Sequence, residues 1–349
     1  MYQQKIDLAG EVCFRPNFWQ TKGRINYLIN EYLNLDELRD LMEELPDQFR
    51  DPQPRQWSKI TWQDINPDDV IGIELNIFLS IIKGALDTEA PIRGYTQASR
   101  QARAFPCAFR RRGVARQYLE PIHPSMAKFV GGSVSADGKM TALGLWEKEE
   151  RQHTPALIKI YQQLSHDKII PQPKTAKVYQ ARENPYQDLY KHGLHRVATE
   201  YSAVCLYIWL MSHTTGTTQQ VLGELLQDEV NHLTKFLGMG MWLYPDGTEQ
   251  LIKYLLNQIH TILPVSSESD AKSKSTLKST FQRMMSVLNW QSWSILSQGE
   301  LIYTFIWTLK QMYHWSSQLT PEYLQSCCAS PEFFGNNNLE CDRSEIIIF

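Results

Sequence analysis

The chain has 349 residues and a formal net charge of −3. It is long enough for a large core, as one big domain or two smaller ones, and its overall field does not suggest nucleic acid. Its six cysteines show no Cys-x-x-Cys spacing, which argues against a zinc ribbon or a thioredoxin-type motif and for free thiols in a reducing compartment. The opening residues, MYQQKIDLAGE, lack a basic segment followed by an apolar one, and the longest apolar run, 203–211, is too short to span a bilayer. The expectation is a soluble cytoplasmic protein with no membrane span.

Taken in chain order, the pattern is mostly helical. Residues 1–65 read as a mixed extension with one short amphipathic helix at 34–44, broken afterwards by Pro46, Pro52 and Pro54. Asn66-Pro67-Asp68-Asp69 reads as a helix start, with Asn66 as cap and Pro67 at the first position. That helix runs from about 70 into 88–94, where Pro91 ends or kinks it. Residues 104–137 are irregular, punctuated by Pro106, Pro121, Pro124 and Gly131-Gly132. A second long helix fits 140–163, with a kink at Pro155. A third fits 186–212, a fourth fits 218–242, and another follows to about 263. Residues 264–280 are Ser/Lys-rich and read as a polar linker. Apolar helix returns at about 281–315, before a loosely held tail that ends at 349.

The chemistry is carried by two Glu-x-x-His pairs, Glu150/His153 and Glu229/His232, each on a predicted helix. Residues three apart on a helix share a face, so a carboxylate and an imidazole can hold one edge of a metal ion together. Two such pairs, plus one Glu from each of two further helices, make a two-metal carboxylate site in a four-helix bundle. Three of the nine histidines have Glu three residues before them, where chance would give roughly half an occurrence. The third case, Glu120/His123, contains Pro121 and sits in the irregular segment, so it reads as a decoy. Between the two pairs, Glu200 lies in the apolar stretch VATEYSAVCLYIWL. A carboxylate buried there without a partner would be costly or protonated, and a metal is a suitable partner. The alternative is that Glu200 faces solvent.

These residues resemble the soluble acyl-carrier-protein desaturases, the stearoyl-ACP type within the ferritin-like di-iron superfamily. That family carries E-E-x-x-H in one core helix; here Glu149-Glu150-Arg151-Gln152-His153 follows Trp146. It carries D-E-x-x-H in a later helix; here Asp228-Glu229-Val230-Asn231-His232 stands. Its first ligand helix begins near Pro-Asp-Asp and bears a Glu after a Thr and shortly before a Pro, as do Pro67-Asp68-Asp69 and Thr88-Glu89-Ala90-Pro91. A shortened version of its E-N-x-P-Y segment, Glu183-Asn184-Pro185-Tyr186, precedes Glu200. The resemblance is spread in short pieces over roughly 65–245.

The resemblance implies an all-α, ferritin-like four-helix bundle over 66–263 with flanking helices, an insertion at about 104–137, the linker at 264–280 and C-terminal helices over 281–349. It implies two iron ions per chain. Glu89 and His153 would bind one, Glu200 and His232 the other, and Glu150 and Glu229 would bridge them. Such ligation suits iron or manganese. Asp228 would orient a ligating histidine. Glu74 rivals Glu89, being on the same predicted helix and on roughly the same side.

The implied activity is O₂-dependent introduction of a double bond into a fatty acyl chain. The implied partners are an acyl carrier protein or acyl thioester and a ferredoxin-like electron donor, and the implied assembly is a homodimer. Arg93, Arg100, Arg103, Arg110-Arg111-Arg112 and Arg116 are a candidate dock for an acidic carrier, or simply a solvated basic face. The stretches 201–209 and 236–242 are candidates to line a substrate slot, with ordinary bundle core as the alternative. The chain departs from the family one turn after Glu200. Ala203 stands where the family has a Thr, with Ser202 adjacent but pointing elsewhere. This leaves room for hydroxylation or another oxidation by a related di-iron oxygenase, and a metal-binding protein without organic substrate is the third reading.

Overall fold

The computed structural model describes residues 15–44, 53–90, 140–172, 185–243 and 288–316. It also describes the short pieces 5–6, 12–13 and 133–134, and the single residues 47, 51 and 285. Over 185–195 and 238–243 only the backbone is described. The described residues are mostly helical, and the all-α class holds. Among the described residues, strand is confined to two short antiparallel pairs, β1 (Lys5–Ile6) with β2 (Val12–Cys13) and β3 (Ser133–Val134) with β4 (Met140–Ala142). The insertion apart from β3, the helix ending near 263, the linker, the tail, the arginine run and Glu120/His123 lie outside the described residues.

The first helix, α1 (Phe18–Tyr32), is a structure the pattern did not predict. Asn17 and Gln20 form a reciprocal capping box: Gln20 N–H donates to Asn17 Oδ1 at 3.0 Å, and Asn17 N–H to Gln20 Oε1 at 2.9 Å. Its buried face is only Thr21, Ile25, Leu28 and Ile29, a thin stripe in a polar sequence. The short helix α2 (Leu35–Glu43) forms as predicted.

Asn66 does cap, but what it caps is a single 3-10 turn, Pro67–Asp69, where the pattern had predicted a long helix. The helix proper, α3 (Leu75–Glu89), starts later with Glu74 as its cap residue and closes at Ala90, just before Pro91. Likewise α4 (Leu145–Ser165) starts after Gly144 rather than at 140, because Met140–Ala142 is engaged in strand pairing; Pro155 lies inside it. The helices α5 (Pro185–Ser212) and α6 (Gly216–Leu243) match their predicted spans closely. The last helix, α7 (Ile295–Ser316), is preceded by a 3-10 turn at Trp290–Ser292 rather than extending back to 281.

The framework of the molecule is the α5/α6 hairpin, closed by only His213, Thr214 and Thr215. Its tight end is tied down from two directions. Arg24 on α1 donates from Nε to Ser212 O at 2.7 Å and from Nη2 to Thr214 O at 2.5 Å, satisfying carbonyls that the helix end leaves open. The Asp69 carboxylate accepts from Thr218 N–H at 3.1 Å and Thr218 Oγ1 at 2.6 Å, which caps α6. Gly216 takes a positive φ of 55°, and any Cβ there would press on the same carboxylate. The turn at Pro67–Asp69 is thus spent on starting another helix rather than its own.

Helix α3 packs on α4, and α4 packs on α6; α1 and α7 cover α5 and touch each other. One apolar core runs through these layers. It includes Phe78, Ile81 and Ile82 of α3, Leu157 and Ile160 of α4, Tyr207 and Trp209 of α5, Leu222 and Leu226 of α6, and Phe305 of α7. Each such side chain contributes about 1.5–3 kcal/mol when fully buried. Glu200 and Glu229 sit almost equally far from the hairpin turn, at roughly 1.5 Å per residue, so the hairpin brings them to the same level of the bundle. No helix among the described residues is long and apolar enough to cross a membrane.

Candidate metal centre

Six side chains from four helices meet inside this core. Glu89 comes from the last residue of α3, Glu150 and His153 from α4, Glu200 from α5, and Glu229 and His232 from α6. They form two overlapping groups, Glu89/Glu150/His153/Glu229 and Glu150/Glu200/Glu229/His232, in each of which one donor atom per residue lies within 4.8 Å of the others. Glu150 and Glu229 belong to both. Five of the six are buried, and Glu89 is half-buried.

Each histidine turns its Nδ1 toward the three carboxylates of one group. His153 Nδ1 lies 3.3 Å from Glu229 Oε1, 3.5 Å from Glu150 Oε2 and 3.9 Å from Glu89 Oε2. His232 Nδ1 lies 3.4 Å from Glu150 Oε1, 3.8 Å from Glu229 Oε2 and 3.9 Å from Glu200 Oε2. Nδ1 of both histidines, Glu150 Oε2 and Glu229 Oε2 are buried without a hydrogen-bond partner. Such orphaned atoms are rare in a folded core. Separations of this size suit donors that each stand about 2.0–2.2 Å from a shared cation. The two imidazole rings are 6.1 Å apart between centroids.

The other imidazole nitrogens are fully engaged. His153 Nε2 meets Asp228 Oδ2 at 3.2 Å, and His232 Nε2 meets Glu149 Oε2 at 3.0 Å. Each histidine is held by the acid that directly precedes the shared glutamate of the opposite helix. A carboxylate at Nε2 favours the tautomer with its proton there, which turns the Nδ1 lone pair toward the cluster. Asp228 also accepts from Trp57 Nε1 at 2.9 Å and from Arg55 Nε at 2.7 Å. Arg55 Nη1 donates to Glu224 Oε2 at 2.6 Å, and Arg55 N–H donates to Glu149 Oε1 at 2.9 Å. Lys235, fully buried one turn after His232, feels the charges of Glu149 and Asp228.

This arrangement separates two charge layers. The outer carboxylates have cations beside them: Arg55 pairs with Asp228 and Glu224, and Lys235 feels the charges of Glu149 and Asp228. The inner carboxylates Glu89, Glu150, Glu200 and Glu229 have only two imidazoles among them. Four carboxylates this close cannot all stay ionised without cations. Accordingly, burial, followed by the charges of Glu150 and Glu229, pushes Glu89 and Glu200 well above the usual carboxylate range. Burial works the same way on Glu229, but proximity to His153 and His232 outweighs it and holds this carboxyl low. Burial would discharge His153 and His232, yet Glu150 and Asp228 around the first, and Glu149 and Glu150 around the second, hold both well above the imidazole range. The side chains present therefore fit a pair of divalent cations: four carboxylate donors and two imidazole nitrogens, with Arg55 and Lys235 turned to the acids outside them.

The structure brings together all six sequence-predicted donors, and Asp228 stands where it can orient His153. The rival Glu74 lies outside both groups: it occupies the N-cap position of α3, is exposed, and pairs with Arg15 at 2.7 Å. Glu200 is buried, against the solvent-facing alternative. Ser202 is spoken for, its hydroxyl donating to Ala198 O at 2.7 Å. Of the stretches suggested as a slot, Val204–Trp209, Phe236 and Leu237 are core side chains. Sequence reasoning missed the role of Glu149 and missed Arg55, Trp57 and Lys235. For Glu149 the signal was present, since it precedes Glu150 as Asp228 precedes Glu229. Cys205 is buried and burial pushes its thiol far up, so it is inert beside the site. No protein-family model, no curated protein and no solved structure matches this chain.

Proposed function

We propose that this protein is a two-metal oxidoreductase of the ferritin-like type that uses O₂ to oxidise an apolar or carrier-linked substrate, with desaturation of a fatty acyl chain on acyl carrier protein as the leading reaction. The observation that carries the metal reading is the pair of overlapping four-donor groups that share Glu150 and Glu229 and leave both histidine Nδ1 atoms without a partner. Glu89 and His153 would hold one ion, Glu200 and His232 the other, and Glu150 and Glu229 would contact both. The mixed oxygen and nitrogen set suits iron or manganese, and iron is the choice that the resemblance to the desaturases supports. When bound, an iron pair supplies the redox capacity to activate O₂ toward an unactivated C–H bond.

The chain's own residues do the rest. Asp228 and Glu149 hold the Nε2 protons of His153 and His232 and keep each Nδ1 turned inward. Tyr207 of α5, fully buried and within the field of Glu89, Glu150 and Glu229, helps exclude water around the acids. An acidic acyl carrier protein, a ferredoxin-like donor and a homodimer belong to this reading through the resemblance alone. A second reading, oxidation other than desaturation, is favoured by one observation. Ala203 carries no hydroxyl, and that of Ser202 is bound to a backbone carbonyl, so the hydroxyl the desaturases place near the metal pair has no counterpart at this point.

The test is iron content per chain after anaerobic ferrous loading, in the wild type and in Glu150→Ala and Glu229→Ala, followed by acyl-ACP turnover with O₂ and reduced ferredoxin. A pair held by the wild type and lost from both variants supports the centre. An alkene product supports desaturation, and a hydroxylated one supports the second reading. A wild type that takes up no iron would sink both.

A further inference from the structure

We infer that Arg55 is a positioning residue that supports the two halves of the metal centre unequally, its side chain serving His153 and its main chain serving His232. The inference rests on the metal reading above. Arg55 lies in an extended segment outside the helices that supply the six donors, between Pro54 and the turn at Trp62–Asp64. From there it reaches both acids that hold an imidazole. Its guanidinium contacts belong to one side of the centre: Nε to Asp228 Oδ1 at 2.7 Å, Nη1 to Glu224 Oε2 at 2.6 Å and to Gln227 Oε1 at 2.7 Å, and Nη2 to Glu224 O at 2.5 Å. Its link to the other side is the main-chain N–H, which donates to Glu149 Oε1 at 2.9 Å.

Each acid uses its second oxygen for the histidine. Asp228 Oδ1 takes the guanidinium while Oδ2 takes His153; Glu149 Oε1 takes the main-chain N–H while Oε2 takes His232. Fixing one oxygen of a carboxylate fixes the plane of the other, so Arg55 sets the direction of both imidazoles at one remove. A side-chain substitution removes the fork on Asp228 but keeps the main-chain donor on Glu149. Ser58 anchors the same segment independently, with both its N–H and its hydroxyl bonded to Glu224 Oε1. Glu149 should therefore keep its donor when the guanidinium is gone. Trp57 Nε1 remains on Asp228 Oδ2, so the His153 side should loosen rather than collapse.

The experiment is Mn(II) titration of the metal-free full-length protein, followed by electron paramagnetic resonance, in the wild type, Arg55→Gln and Arg55→Lys. Lys keeps the positive charge but not the fork. The wild type is expected to fill as an exchange-coupled pair. Arg55→Gln is expected to keep one site at near wild-type affinity and to weaken the other about tenfold or more. At substoichiometric metal it should therefore show the hyperfine pattern of an isolated Mn(II) ion. In that background, adding His232→Ala should remove the remaining tight ion, and adding His153→Ala should change it little. Arg55→Lys should fall between wild type and Arg55→Gln. Far-ultraviolet circular dichroism and the thermal midpoint establish that each variant is folded.

A folded Arg55→Gln that fills as a coupled pair with wild-type affinity overturns the inference. So does one that weakens both ions alike, which would make Arg55 a general support of the fold, and so does a chain that folds with neither Gln nor Lys at this position. A wild type that binds no Mn(II) and no iron overturns the metal reading itself, an outcome the variants cannot mimic.

Discussion

The molecule holds a second buried histidine–glutamate constellation, and comparing it with the centre shows what makes a metal site. At the end of the α5/α6 hairpin, His213 Nε2 meets Glu300 Oε2 at 3.0 Å, both residues are buried, and His213 Nδ1 has no hydrogen-bond partner. So far this matches His153 and His232. The difference is what the free nitrogen faces. Around His153 and His232 it faces three carboxylates each; at His213 it lies against the backbone of Gly72, with the Trp209 ring 4.7 Å away between centroids. A buried imidazole with one acid partner is a strut between the α5/α6 turn and α7. Surplus acid on the second nitrogen is what turns the same parts into a candidate cation site.

The largest expected effect on this contrast is all-or-none. Glu150→Ala or Glu229→Ala should take the metal content from a pair to none by inductively coupled plasma mass spectrometry, because each removes a donor from both groups. Glu300→Gln should leave the metal content of the folded protein unchanged; a loss of metal there would erase the distinction between strut and site.

The next effect is on pH. The raised carboxyls of Glu89 and Glu200 and the raised imidazoles of His153 and His232 all bind more protons in the folded, metal-free state than in the unfolded chain. Their stabilising contribution is complete below the unfolded values, near 4.3 for Glu and 6.5 for His, and is lost as pH rises through the folded ones. The lowered Asp228 and Glu229 act in the opposite sense, losing their contribution only as pH falls through the acid range. Above the acid range the sign is therefore single: the unfolding free energy of metal-free protein should fall between about pH 6 and pH 8, by up to about 1.4 kcal/mol per pH unit for each proton released, and the thermal midpoint should fall with it. Metal should flatten the curve, since it replaces those protons. A flat metal-free curve would mean that Glu89, Glu200 and the two imidazoles carry no extra protons in the folded state.

Smaller still is Gly72→Ala. A Cβ there collides with the His213 ring, so we expect a loss of about 1–3 kcal/mol in a denaturant titration with metal stoichiometry intact. The smallest is Trp57→Phe, which removes one donor from Asp228 while Arg55 remains; it should cost about 1 kcal/mol, and a much larger loss would show that Trp57 rather than Arg55 holds that acid.

Four of the six inner donors, the two Glu-x-x-His pairs, were legible because helical periodicity states which residues share a face, and Glu200 was legible from the apolar stretch around it. Glu89 was legible only by resemblance, and its rival was settled by where α3 begins. That start was misread because Asn66-Pro67 is a genuine cap signal; the turn it opens stops at Asp69, whose carboxylate is committed to Thr218 far along the chain. Helix α1 was missed because four buried positions in a polar segment make a weak period. Arg55 and Trp57 were illegible for a different reason. They lie in an extended, proline-flanked stretch where spacing carries no direction, and their partners are more than 90 residues away.

Three of the four donors in the second group, Glu200, Glu229 and His232, come from one helical hairpin closed by three residues. Helical hairpins are local structures that form early and fast, because little loop entropy is lost in closing them. The first group draws on three helices and must wait for α3 and α4 to dock. The order of the chain therefore gives the two halves of the centre different ages during folding: a cation held by the hairpin would already be in place as a template when Glu150 arrives with His153 and completes the other half.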